Sequence, residues 1–314
     1  MNAAGAAARP ETGHAAPPVL LVNPEAGRLH PEARDRVVAK VRSSLGAEVV
    51  TTGARDEAMH LAAEAAASGS SFVVAFGGDG HVNEVANGLA GTPSSLALLP
   101  GGTMNRFART LGVPRDPLAA VDHLVAAVSR PPRRVNLGQM DGRYFTVSAG
   151  CGFDAETAEL VDRDLRGKRR FGELFFYWSA FRVLAGAYRH RKPNLIVRGA
   201  FGEIAAAMVI VSNAGPYAYL LGRPVVLAPK VQIDEGLDLL ALRSMKIEAL
   251  PIYIWRTAIS NDFAEHRDAF YVANLRDLEV EAPAPFHRHV DGEPLPPATS
   301  SRFSMAEGAL GIVV

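Results

Sequence analysis

The chain holds a single cysteine, Cys151, which excludes an intrachain disulfide and suits a reducing compartment. It has no excess of either charge, because Lys+Arg and Asp+Glu number 33 each. No global field therefore recruits nucleic acid or an acidic membrane, and any such attraction has to be local. No apolar run approaches the ~18 residues that a bilayer span needs. The first 18 residues, Met1 to Pro18, are rich in Ala, Gly and Pro. They lack the apolar stretch of a secretory leader and read as a flexible tail. The expected location is the cytoplasm, and 314 residues leave room for two domains with sizeable cores.

What is present is organised around residues 72–89. Phe72 to Phe76 is a short continuous apolar run, as expected of a parallel strand buried on both faces. It stops at Gly77-Gly78-Asp79-Gly80, and Val82, Val85, Ala86 and Leu89 then follow at helical spacing. Strand, glycine turn and helix point free backbone N–H groups at a phosphate. An acid among the glycines suits a metal-bridged phosphate, since Mg²⁺ takes carboxylates beside phosphate oxygens. The turn matches neither G-x-x-x-x-G-K-[ST] nor G-x-G-x-x-G. A second strand, turn and helix follows as Leu96 to Leu99, then Pro100-Gly101-Gly102-Thr103-Met104-Asn105-Arg106-Phe107-Ala108.

Gly-Gly-Asp-Gly with Asn83-Glu84-Val85-Ala86-Asn87-Gly88, together with Pro-Gly-Gly-Thr-Met-Asn-Arg-Phe-Ala, resembles the diacylglycerol kinase catalytic-domain family. That family includes sphingosine and ceramide kinases and bacterial lipid kinases. The first loop by itself is shared with NAD kinases and phosphofructokinases; the pair is specific. Asn23-Pro24-Glu25-Ala26-Gly27 resembles the family's opening nucleotide loop, with Ala26 in place of a serine. Thr52 either reaches the nucleotide, as its family counterpart does, or caps the helix that follows. Strands at 19–22, 48–51, 72–76 and 96–99 alternate with helices, so residues 19–134 are expected to form a doubly wound, Rossmann-like α/β domain with a parallel sheet.

After Arg134 the pattern changes to short strands with few helices. Residues 135–314 are expected to form an antiparallel β-sandwich, whose last strand is free to return to the first domain. Gly152-Phe153-Asp154-Ala155 resembles the family segment whose aspartate faces the acceptor hydroxyl; the plain alternative for Asp154 is a helix N-cap. Asp234-Glu235-Gly236-Leu237, with Glu235 in place of a second aspartate, resembles the family's Asp-Asp-Gly-x-Leu segment, which carries a structural Mg²⁺ in bacterial members, or is a plain turn. Asp291-Gly292-Glu293 resembles the family's Asp-Gly-Glu, whose acids approach the nucleotide's metal and phosphates. His287 and His289 read as surface residues, and the helix at 248–264 reads as ordinary core. Residues 163–192 combine clustered Arg and Lys with an aromatic stripe that includes Phe171, Phe175 and Trp178. They are either a packed helix with solvated basic ends or a lipid-facing helix in peripheral contact with a membrane.

The resemblance implies an ATP-dependent lipid kinase with Mg²⁺, a membrane lipid as acceptor and no nucleic-acid partner, and it leaves assembly as a homodimer open. Carried over residue by residue, Asn23, Pro24, Gly27, Thr52, Gly77, Gly78, Asp79, Gly80, Glu84, Gly101, Gly102, Thr103 and Asn105 would meet the nucleotide. Asp79, Asp154, Asp291 and Glu293 would be catalytic, with Asp234, Asp291 and Glu293 at metal. Two departures stand out. His81 replaces the usual Thr, with an altered phosphate contact as the expected consequence. Arg106 replaces an acid, and Arg106→Asp is expected to change nucleotide or metal handling rather than stability. An NAD kinase-like enzyme and a non-catalytic nucleotide- or lipid-binding protein are the competing readings.

Overall fold

A computed structural model describes residues 16–25, 30–163, 178–179, 182–183, 194–220, 222–244 and 247–314. Gly27 and most of the basic-aromatic stretch at 163–192, Phe171 and Phe175 included, lie outside them. The strands β1 (Val19–Val22), β2 (Glu48–Thr51), β3 (Phe72–Gly77) and β4 (Ser95–Pro100) pair in parallel in the order β2-β1-β3-β4. They are joined by α1 (Pro31–Leu45), α2 (Glu57–Ala67) and α3 (Asp79–Leu89), and β4 is followed by α4 (Arg106–Thr110) and α5 (Pro117–Ala127). Helix α1 packs on α5 and α2 packs on α3, which places helices on both faces of the sheet. That double cover is why β3 and β4 are buried along nearly their whole length and almost wholly apolar.

Local signals set the helix ends. Pro31 opens α1 and Gly46, at φ 64°, closes it with its N–H on the Arg42 carbonyl. Asp116 caps α5 by accepting the Ala119 N–H at 2.8 Å.

The second half adds β5 (Arg133–Met140), β6 (Arg143–Phe145), β7 (Ser148–Gly152), α6 (Phe153–Arg163), β8 (Leu195–Gly199), β9 (Gly202–Ala206) and β10 (Met208–Ser212). There follow the β11 (Ala218–Leu220) and β12 (Arg223–Val225) hairpin, β13 (Leu237–Leu242), α7 (Leu250–Trp255), β14 (Ala269–Leu275), β15 (Asp277–Val290) and β16 (Glu293–Ile312). Inward side chains of β5, β7, β8, β10, β13, β15 and β16 share one core around Phe145, Phe286 and Phe303. This is the antiparallel β-sandwich. Strand β16 then runs on to pair in parallel with β4 at Gly311 and Ile312.

Residues 143–149 split into two strands because the N–H groups of Thr146, Val147 and Ser148 turn to the Asp291 carboxylate. The stretches 278–281 and 286–290 are one strand with a register shift between Glu281 and Phe286, where Pro283 and Pro285 supply no N–H. Residues 248–264 are not ordinary core. Phe263 is buried there, but Ile252, Trp255 and Ile259 are 41%, 54% and 52% exposed. Periodicity identifies an apolar helix, but not whether anything covers it. Among the described residues, no helix is long and apolar enough to cross a membrane.

Candidate active site

With β2 on one side of β1 and β3 on the other, the sheet has its switch point between β1 and β3, where a crevice opens at the strand C-termini. Asn23-Pro24-Glu25 leaves one strand there and Gly77-Gly78-Asp79-Gly80 leaves the other. Asn23 spends its Oδ1 on its own turn, accepting the Glu25 N–H at 2.9 Å. The two glycine turns touch. Gly101 N–H donates to the Gly77 carbonyl at 2.9 Å, and a Cβ on Gly102 would lie 2.6 Å from Gly78 Cα. Only glycine permits that approach. Asn105, at φ 46°, fastens the second turn by accepting the Gly102 N–H at 2.9 Å and donating to the Gly102 carbonyl at 2.8 Å. The Gly101 and Gly102 amides are thus already engaged, while Thr103 sits exposed at the tip. The amides that point into the crevice are those of the α3 N-terminus, since the first bond of that helix runs from Val82 N–H to Gly78 O.

Asp79 is the first residue of α3. Its Oδ1 accepts the Arg106 N–H at 2.6 Å, and the Arg106 Nε lies 3.8 Å from Oδ2. Burial pushes the Asp79 carboxyl above its usual range and Arg106 opposes the shift. Glu293 joins it from the other half of the chain. The β15–β16 turn is Asp291-Gly292, with φ of 48° and 87°, the tight two-residue form that hairpin twist favours. It brings the Glu293 carboxyl onto Gly80, where a Cβ would lie 2.1 Å from Oε1. Burial, then Glu84, push the Glu293 carboxyl up to about 7, against Arg143 and Arg55. The nearer of these guanidinium groups, by the ion pairs formed, has its Nη2 3.9 Å from Oε2.

Other expected site residues are engaged elsewhere. Asp291 accepts from Asn83 Nδ2, Thr146 Oγ1 and the N–H groups of Thr146, Val147 and Ser148, all at 2.7–3.0 Å. Five bonds exhaust a carboxylate's roughly four acceptor positions, so Asp291 clasps the turn to the sheet and has none left for a metal. Asp234 pairs with Arg133 on the surface. Among the described residues, no three His, Cys, Asp or Glu side chains are grouped to hold an ion. Glu84 accepts the Asp56 and Ala58 N–H groups at 3.0 and 3.2 Å, closing the start of α2. Thr52 does not cap that helix; its hydroxyl donates to the Val22 carbonyl at 3.3 Å.

His81 is buried with its Nε2 3.0 Å from the Leu21 carbonyl. A carbonyl only accepts, so Nε2 carries the proton, and the ring braces α3 against β1 rather than touching a phosphate. Asp154 lies inside the first turn of α6 rather than at its cap. One carboxylate oxygen accepts the Tyr217 hydroxyl and the other faces His289 Nε2 at 2.6 Å. His289 is 2% exposed, which corrects the surface expectation, while His287 is half exposed beside Glu159 at 2.6 Å. Both point toward α6; only tertiary packing separates them. Sequence reasoning missed Tyr217, and no motif flags it.

The Glu293 carboxyl makes stability depend on pH. Its folded pKa lies above the ordinary 4.5, so its stabilising contribution is complete below that value and is lost as pH rises through about 7. With divalent ions chelated, Glu293→Gln should unfold at a higher denaturant midpoint than wild type at pH 8, by up to roughly 3 kcal/mol. At pH 4.5 the two midpoints should nearly coincide. Equal midpoints at both pH values would show that this carboxyl is not strained by its surroundings.

Residues 17–140 match the diacylglycerol kinase catalytic domain and residues 146–314 match the YegS C-terminal NAD kinase beta sandwich-like domain. A diacylglycerol kinase from Bacillus subtilis (strain 168) is 30% identical, over 87% of this chain and 88% of its own. A protein from Pseudomonas aeruginosa named "Probable lipid kinase YegS-like" is 30% identical over 90% and 89%. The crystal structure of a diacylglycerol kinase from Bacillus anthracis superimposes with a TM-score of 0.73 at 25% identity, covering 95% of this chain and 96% of the other. An NAD kinase from Archaeoglobus fulgidus, solved with ATP, shares the fold at a TM-score of 0.53 and 13% identity, covering 95% and 93%. The chain therefore belongs to the diacylglycerol kinase catalytic-domain family of lipid kinases.

Proposed function

We propose that the protein transfers the γ-phosphoryl group of ATP to a hydroxyl of a membrane lipid: diacylglycerol, ceramide, a sphingoid base or a phospholipid head group. The observation that carries this reading is the contact of the two glycine turns at the switch point, with Asp79 and Glu293 beside the open N-terminus of α3. Residues 19–134 would hold the nucleotide and residues 135–314 the lipid, with phosphate oxygens meeting the α3 amides, where helix polarity favours anions.

The donor set fits Mg²⁺, which is held by one or two carboxylates together with substrate phosphates. Asp79 and Glu293 are the two that would hold it, and Glu293, strained by burial and by Glu84, is relieved by a cation. The ion would neutralise charge on the transferring group. Asp154 keeps about two acceptor positions after Tyr217 and His289 take theirs, and it would accept the lipid hydroxyl's hydrogen bond and orient its oxygen in line with the phosphorus. The new bond forms from that oxygen as the bond to the ADP oxygen breaks, and the hydroxyl proton leaves toward the carboxylates.

Membrane contact through residues 163–192 is part of the proposal. Support comes from Trp178, 53% exposed, with the Arg182 guanidinium 4.9 Å from the centre of its ring system. That pairing of an amphipathic ring with a cation suits a lipid interface.

The test is labelled ATP with Mg²⁺, offered mixed-lipid vesicles in one arm and NAD in another. Label is expected in a lipid, and only when Mg²⁺ is present. Label in NAD, or none in any acceptor, would overturn the reading. Reversing charge at Arg169 and Arg170 should reduce sedimentation with anionic vesicles while ATP binding persists; unchanged sedimentation would remove this segment from the membrane contact.

A further inference from the structure

His289 is buried beside Asp154, and the reaction as described leaves it without a task. Its Nδ1 lies 3.1 Å from the Gly292 nitrogen and its Nε2 lies 2.6 Å from Asp154 Oδ2. A backbone N–H only donates, so Nδ1 accepts. The ring proton then sits on Nε2 and is donated to the carboxylate. Gly292 belongs to the turn that carries Glu293 onto Gly80. One imidazole therefore ties the acid on the acceptor side to the turn that bears an acid on the donor side.

We propose that His289 is a positioning residue for Asp154. Its Nε2–H holds one carboxylate oxygen while Tyr217 holds the other, which leaves the remaining lone pairs in a single orientation toward the acceptor hydroxyl. The inference rests on the reading that Asp154 meets a lipid hydroxyl. It adds that turnover depends on the imidazole through Asp154, not merely through the turn. Orientation of this kind matters because small misplacements of a reacting group are costly in rate.

Two substitutions separate these dependencies. In His289→Gln the amide nitrogen falls near the former Nε2 and still reaches Asp154, but nothing accepts from Gly292. In His289→Asn the amide oxygen falls near the former Nδ1 and still accepts from Gly292, but nothing reaches Asp154. Turnover at saturating lipid should fall by about 10²-fold in His289→Asn and stay near wild type in His289→Gln, with the KM for ATP unchanged in both. The reverse ranking, equal loss or no loss would overturn the proposal. A second measurement needs no turnover. The ¹⁵N spectrum of the His289 ring in wild-type protein should show Nε2 protonated and Nδ1 bare, and Asp154→Asn should move the Nε2 signal more than the Nδ1 signal. A proton on Nδ1, or no response to Asp154→Asn, would overturn the pairing. If no lipid is phosphorylated while the spectrum is as expected, it is the lipid-acceptor reading that fails.

Discussion

Asp79→Asn should reduce Mg²⁺-dependent lipid phosphorylation by about 10²–10⁴-fold while the protein stays folded. Asparagine keeps an oxygen able to accept the Arg106 N–H, now bonded to Asp79 Oδ1 at 2.6 Å, so the glycine turns should keep their shape. What disappears is the negative charge at the start of α3, where a cation bound to phosphates would need it most. Loss of that charge also unbalances the nearby guanidinium at 3.8 Å, so a modest fall in stability is expected beside the large fall in rate. Initial rates with labelled ATP across a Mg²⁺ titration, read beside a urea midpoint, separate the two effects. Near-normal phosphorylation by a folded Asp79→Asn protein would mean that the site is not built around residues 77–80.

The second large effect is on stability. The Arg106 side chain is 9% exposed and reaches three separate segments. Nη1 donates to the Tyr217 carbonyl at 3.0 Å, Nη2 donates to the Asp291 carbonyl at 2.8 Å, and Nε faces Asp79. Removing one member of such a buried set leaves the others unpaired, at a cost of about 3–5 kcal/mol. Arg106→Asp should cost at least that much, since it adds an anion beside Asp79; Arg106→Met should cost a similar amount without the repulsion. Chemical denaturation of both variants against wild type measures this. An unchanged midpoint for Arg106→Asp would show that the guanidinium braces nothing. On sequence grounds alone this substitution is expected to alter nucleotide or metal handling with little change in stability, and the three-way contact is what reverses that expectation.

His289 shows the same boundary of legibility from another side. Alternation along β15 places it on one face with His287, and both read as exposed. The face is covered by α6 at one position and only partly at the other, which the period of a strand does not encode. The apolar helix near Trp255 errs in the opposite direction. Its spacing matches a buried stripe, yet Ile252, Trp255 and Ile259 are left in the open. Periodicity reports which side chains share a face and is silent on what that face meets.

Local chemistry was enough for the alternating strands and helices and the two glycine turns, because each depends on residues within a few positions of one another. The tertiary structure alone decided which acids remain free to work. Asp291 and Glu293 are two residues apart and look alike in the sequence. Yet Asp291 is saturated by donors that include Asn83 and Thr146, 208 and 145 positions away. No hydrogen bond from the described residues reaches the Glu293 carboxyl, and it is pressed onto Gly80. A carboxylate is a ligand, a brace or a strained acid according to the donors around it, and here most of those donors come from remote segments of the chain.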